Sequence, residues 1–173
     1  MHKLWEFEGY FQDTFAIEAG FTKQELGYRL EFKLSGPLNQ LVIPDRAKTS
    51  GFRDELWKHT CFEAFLQDAK SQAYWEFNVS PSREWAVYRF KKYRERVDAD
   101  ISGIELVIQQ ERYPGQLVMK IDIKPKDRDL IVASRVGLTC VLEHKSEAKS
   151  YWALRHTEAK PDFHMAESFI HSV

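Results

Sequence analysis

Apolar and polar residues alternate with a period of two along much of this chain, and a strand is the only regular element in which that pattern gathers the apolar side chains on one face. In Leu26-Gly-Tyr-Arg-Leu-Glu-Phe-Lys-Leu34, the residues Leu26, Tyr28, Leu30, Phe32 and Leu34 share one face, and Arg29, Glu31 and Lys33 share the other. The same spacing turns Leu117, Met119, Ile121 and Ile123 inward against Lys120, Asp122 and Lys124, and it turns Val136, Leu138, Cys140 and Leu142 inward on a later strand. Cys140 is thereby read as a small core residue.

Further strands are expected near 14–19, 57–67, 72–80, 84–90, 104–112, 151–154 and 167–172. They are separated by breaks at Ser35-Gly-Pro37, Pro81-Ser82, Tyr113-Pro-Gly115 and Pro125. Tyr93-Arg-Glu-Arg-Val-Asp98 reads as a short helical turn, and Lys124-Pro-Lys-Asp-Arg-Asp129 as a charged loop. Many strands and few helices predict an all-β chain. Antiparallel strands with one apolar face need a second layer to cover it, so the expected fold is a two-sheet antiparallel β-sandwich of immunoglobulin-like or jelly-roll-like type. No repeat or linker divides the 173 residues, and a single domain spanning 1–173 is expected.

Charge and composition narrow the function classes. The 25 Lys and Arg nearly cancel the 26 Asp and Glu, so the basic footprint of a nucleic-acid binder is missing. Acidic residues interrupt MHKLWEFEGYFQDTF where a signal peptide needs an apolar core, and no run approaches a membrane span. A cytoplasmic protein with no membrane association is expected, with Cys61 and Cys140 kept as thiols.

The most informative stretch is CFEAFLQDAKSQAYWEFNVSP, residues 61–81. Here Thr60, Phe62, Ala64 and Leu66 face one way with Trp75, Phe77 and Val79. His59, Cys61, Glu63 and Phe65 face the other way with Tyr74, Glu76 and Asn78. Paired as a hairpin through Asp68–Ser71, the second face carries carboxylates, a carboxamide, an imidazole, a thiol and a phenol on neighbouring strands. Such a face is either an ordinary solvated sheet surface or a polar binding platform. Trp85, Tyr88 and Trp152 on adjoining strands favour the platform, because aromatic planes stack on the CH faces of sugars while carboxylates, amides and Arg pair with their hydroxyls.

Leu56-Trp-Lys-His-Thr-Cys-Phe-Glu-Ala-Phe-Leu66, then Tyr74-Trp-Glu-Phe-Asn-Val-Ser-Pro81 and Trp85-Ala-Val-Tyr88, resemble the strand motifs of the DOMON-like and family 9 carbohydrate-binding-module-like superfamily. Ser150-Tyr-Trp-Ala-Leu154 and Lys160-Pro-Asp-Phe-His164 are similar to features of its stand-alone bacterial group. The resemblance covers most of residues 50–170. It implies a β-sandwich that binds ligands without catalysis: sugars in some members, haem in others. Where many family 9-like modules carry an acidic pair before the Glu strand, this chain has His59 and Thr60, so a calcium site there is not expected.

The expected ligand-binding residues are Glu63, Glu76 and Asn78 as hydrogen-bonding groups, Trp85 or Trp152 as a stacking surface, and Arg89 or Arg155 as donors. The ligand is expected to be a carbohydrate or similar polar small molecule. A haem-binding domain and a structural or protein-interaction domain are the alternatives, and a protein partner is left unknown. No catalytic or metal residue and no cofactor other than haem is expected. A glycoside hydrolase would need Glu63 and Glu76 facing each other about 5 Å apart. His59 and Cys61, two apart on one strand, are strained as a nucleophile pair. His156, Asp162 and His164 match no zinc spacing. For haem, Met119 reads as core and Met165 as loop, with no recognisable axial pair.

Overall fold

Each long strand of the structure carries the alternation of its sequence. The computed structural model describes residues 1–173. Its strands are β1 (His2–Glu6), β2 (Ala16–Lys23), β3 (Tyr28–Ser35), β4 (Cys61–Asp68), β5 (Tyr74–Val79), β6 (Trp85–Lys92), β7 (Glu95–Val97), β8 (Ile104–Tyr113), β9 (Gln116–Pro125), β10 (Ala133–Glu143), β11 (Lys149–Ala153) and β12 (His171–Ser172). Single turns of 3-10 helix occur at Leu38–Gln40, Leu56–Lys58 and Ala166–Ser168. No helix is long and apolar enough to cross a membrane.

The strands pair antiparallel in the order β7-β6-β5-β4-β10-β11-β1-β2-β3-β9-β8, with β12 added to β10. The path is continuous because β1 serves two neighbours. His2, Lys3 and Leu4 pair with Ala19, Glu18 and Ile17 of β2, whereas Trp5 and Glu6 pair with Ala153 and Trp152 of β11. The sheet thereby folds into two layers, β7 to β11 in the first and β2 to β8 in the second, sharing one core. Phe32 of β3 touches Phe62 of β4 with ring centroids 5.3 Å apart. Tyr28 Oη of β3 donates to the Ile131 carbonyl at 3.2 Å and accepts from the Ala133 amide at 3.0 Å. A cluster of 30 buried residues fills the space between, each large one contributing about 1.5–3 kcal/mol by leaving water.

Several local expectations are corrected. Tyr93–Asp98 is not helical; a turn through Arg94, with φ of 52°, delivers β7 as an edge strand against β6. The strand expected from 57 begins only at Cys61, because Leu56–Lys58 closes a 3-10 turn first. Leu26 belongs to the turn before β3, whose Gly27 has a φ of +87°, and it is exposed rather than inward. The strand expected at 167–172 shrinks to His171–Ser172, preceded by the 3-10 turn. β1, the strand that joins the layers, was not among the expected strands.

Candidate functional site

The hairpin β4–β5 forms in the register that the alternation requires. Glu63 stands opposite Asn78, Phe65 opposite Glu76, and Gln67 opposite Tyr74. Phe62, Ala64, Leu66, Trp75, Phe77 and Val79 enter the core between the layers. The other face, with Cys61, Glu63, Phe65, Tyr74, Glu76 and Asn78, is extended by Tyr88 and Phe90 of β6 and Thr139 and Val141 of β10. It is not a solvated surface. The segment 155–169 crosses it as a strap, and Glu63, Glu76 and Asn78 are buried beneath.

Three contacts hold the strap down. Gly137 lies opposite Phe65 in the β4–β10 pairing, and a Cβ there would come within 2.6 Å of Phe169 Cδ1. Its bare backbone therefore admits the Phe169 ring, which stacks on Phe65 at 5.5 Å. Arg135 Nε donates to the Phe169 carbonyl at 2.9 Å. Asp162 is buried and accepts from Tyr93 Oη at 2.6 Å, Arg94 Nη2 at 3.0 Å and its neighbour His164's amide at 3.0 Å. Burial works against the Asp162 charge, but these donors win and hold its carboxyl below the usual range.

Between strap and sheet lies a pocket of about 360 Å³ lined by groups from both. Trp57, Phe65, Tyr88, Phe90, Tyr151 and Phe163 supply aromatic wall, and Glu63, Glu76, Arg94, Arg96 and His164 supply charge or polarity. Glu63 Oε2 accepts from Thr139 Oγ1 at 3.1 Å, while Oε1 has no hydrogen-bond partner. The neighbouring Cys61 thiol does little for it, since its Sγ is directed at the Phe62 and Asn78 oxygens, each 3.8 Å away. Glu76 Oε1 accepts from Asn78 Nδ2 at 2.7 Å. Burial, reinforced by the second carboxyl group, pushes Glu63 up to about 8. Burial likewise pushes Glu76 up to about 7 against the Asn78 bond. Below neutral pH both carry a proton, which makes each a donor as well as an acceptor.

His164 is the third polar group of the pocket. Burial, helped by the Arg94 charge, pushes it down to about 4, so it is neutral. Its Nδ1 lies 2.8 Å from Tyr74 Oη, and that oxygen already accepts from the Arg94 amide at 3.2 Å. Burial pushes the Tyr74 phenol up to about 12, so it keeps its proton. The only acceptor within its reach is His164 Nδ1, which leaves the imidazole proton on Nε2. That Nε2–H faces Glu76 Oε2 at 3.8 Å, beyond a direct hydrogen bond.

The other expected site residues lie elsewhere. Trp152 is wholly buried in the core, with Nε1 donating to Ser150 Oγ at 2.9 Å, and has no free face for stacking. Trp85 packs on the core side and against Phe52. Arg89 shares the Trp75 face of the sheet, stacks on that indole at 4.9 Å and pairs with Asp68. Arg155 is exposed and does not line the pocket. His156, Asp162 and His164 diverge: His156 Nε2 meets the Trp5 carbonyl at 2.8 Å, and no group of three His, Cys, Asp or Glu is placed to hold a metal ion. Both cysteines are free and buried.

Sequence reasoning did not select Trp57, Arg94, Arg96, Tyr151 or Phe163. Arg94 and Arg96 were hidden in a stretch read as helical. Phe163 and His164 belong to a segment without periodicity, where only the concentration of aromatic and ionisable residues after Pro161 marks it.

No protein-family model matches the chain, and no curated protein matches it. Its fold is similar to the crystal structure of a "putative carbohydrate-binding protein" from Bacteroides uniformis ATCC 8492. The TM-score is 0.64 and the identity 14%, over 97% of this chain and 83% of that one. At that identity the likeness concerns the fold.

Proposed function

We propose that the chain is a non-catalytic module that binds a carbohydrate in the pocket between the first layer and the strap. The observation that carries this reading is the composition of the pocket: aromatic walls around three neutral polar groups, the buried Glu63 and Glu76 and the half-buried His164, set to bond hydroxyls. Sugars need that pairing of stacking planes with donors and acceptors fixed in place. The similarity to the Bacteroides uniformis protein, itself described as carbohydrate-binding, supports it, as does the resemblance of the β4–β5 motifs to family 9-like modules.

Hydrolysis is less well supported. Glu63 and Glu76 do not face each other, since Glu63 pairs with Asn78 and Glu76 with Phe65. Both are also neutral below pH 7, whereas a retaining hydrolase needs one of its two carboxyls ionised. Haem has a single imidazole in the pocket, and the Nδ1 of that His164 is already bonded.

The test is a titration with neutral and acidic mono- and oligosaccharides, followed by intrinsic Trp fluorescence and calorimetry. A saturable change is expected, weakened about tenfold or more by Glu76→Ala, which removes both carboxyl oxygens from the pocket. Trp85→Phe, on the other face, leaves it unchanged. Silence across the panel, or binding indifferent to Glu76, refutes this site.

A further inference from the structure

The pocket is not electrically balanced. Of its charged lining groups, Glu63 and Glu76 hold protons at pH 6 and His164 is neutral. Arg94 is answered by Asp162. Arg96 has no direct partner: its guanidinium lies over the Tyr88 ring at 4.1 Å and makes no ion pair or hydrogen bond within the protein, its charge reaching Asp54 and Glu76 only at longer range. Stacking uses the face of a guanidinium and leaves its N–H edge free, which is the edge that takes a carboxylate through two parallel hydrogen bonds. Tyr88 is itself fixed, because its hydroxyl donates to Asp54 and its ring meets Trp57 edge-on at 5.6 Å. The Arg96 edge is therefore presented on a rigid plane at the pocket wall.

Deepening the carbohydrate reading, on which this rests, we propose that the sugar bound here is acidic: a hexuronic acid or a glycan that carries one, its carboxylate received by Arg96 and its hydroxyls by Glu76 and His164. A single guanidinium free of direct ion pairing matches a singly charged carboxylate better than a phosphate, which carries nearly two charges. The buried Glu63 carboxyl at the floor, neutral at pH 6, puts no charge there to repel the anion.

The experiment compares D-glucuronate and D-galacturonate, and their short oligomers, with D-glucose, D-galactose and neutral oligomers of equal length. It uses calorimetry at pH 6 on the full chain and on Arg96→Gln. Arg96 is exposed, so the substitution leaves the fold intact, and thermal unfolding checks this. The expected result is that the acidic sugars bind at least about tenfold tighter than their neutral counterparts, and that Arg96→Gln erases this preference. Neutral sugars binding as well as uronates, with Arg96→Gln without effect, overturns the acidic ligand while leaving the carbohydrate site standing. Failure of every sugar to bind overturns both.

Discussion

The outer faces of the two layers look alike in the sequence and have opposite fates. On the second layer, Arg29, Glu31 and Lys33 of β3 lie beside Lys120, Asp122 and Lys124 of β9 and meet water, with Arg29 paired to Asp122 at 2.6 Å and Lys33 to Glu18 at 3.4 Å. On the first layer, Glu63, Glu76 and Asn78 occupy equivalent alternating positions, yet the strap buries them. The solvated face keeps its charges and its groups pair in the open. The covered face loses its charges, because a desolvated carboxyl without a cation holds its proton. Alternation decides which residues share a face, and a segment distant in sequence decides whether that face becomes a surface or a site.

The sharpest way to collapse this contrast is to remove what covers the first layer. Phe169→Ala deletes a fully buried ring stacked on Phe65 and is expected to cost about 3–5 kcal/mol in urea denaturation. Gly137→Ala approaches the same point from the sheet side. Its Cβ would meet Phe169 at 2.6 Å, so the strap must shift, at a cost of about 1–3 kcal/mol. Both variants should expose residues 155–169 to limited proteolysis and weaken sugar binding. A loss of stability with the strap as resistant as before would show that these contacts do not hold it.

Much of the fold was readable, and for one reason. Strands β3 and β9 bury every second residue, and β4, β5 and β10 turn every second residue into the core between the layers, because a period of two survives any tertiary arrangement. The parts that escaped the reading have no period. β1 is short and splits its pairing between two partners, β7 is three residues on an edge, and the strap follows no regular element. The site was readable only on its floor. Glu63 and Glu76, with Asn78 behind Glu76 and outside the lining, came from alternation, whereas Arg94, Arg96, Phe163 and His164 reach the pocket through a turn, an edge strand and a loop whose destinations are tertiary facts. Trp152 and Arg89 went the other way, since residue type suggested a ligand contact and pairing register placed them in the core and in an ion pair.

The covered face should also announce itself in the pH dependence of stability. Glu63 and Glu76 have folded values of about 8 and about 7, above the ordinary carboxylate value of 4.5. As pH rises past 4.5 the unfolded chain therefore releases these protons first, and stability falls until the folded groups also ionise near pH 8. His164 has the opposite sign: with a folded value of about 4 against 6.5, it adds stability as pH rises between those limits. Between pH 6.5 and 8 the carboxyls outweigh His144, His156, His164 and His171, whose lowered folded values still add stability while the unfolded chain loses its last imidazole protons, and a net decline on the order of 1 kcal/mol is expected. Glu63→Gln, which keeps the bond from Thr139 without an ionisable group, should flatten that decline and leave the variant more stable than the parent at pH 8. A flat parent profile would mean that the strap admits enough water to keep both groups charged.

The smallest effect is expected on the open face, and its smallness is the point. Arg29 and Asp122 make two close hydrogen bonds, at 2.6 and 2.9 Å, and the pairing holds the Asp122 carboxyl below its usual range. In the sequence this pair is as conspicuous as Glu63 and Glu76. Yet Arg29 is about half exposed and Asp122 partly so, so water screens the attraction and ordering a long side chain offsets part of what remains. A double-mutant cycle with Arg29→Ala and Asp122→Ala, read by urea midpoint at 0.15 M salt, should return a coupling within experimental scatter and no change in sugar binding. The same cycle on Asp162 and Arg94, where Asp162 is buried and Arg94 half in solvent, should return a measurable coupling and loosen the strap. Equal couplings for the two pairs would remove the distinction between the faces, since the deeper burial of Asp162 would then confer nothing that the less buried Asp122 lacks.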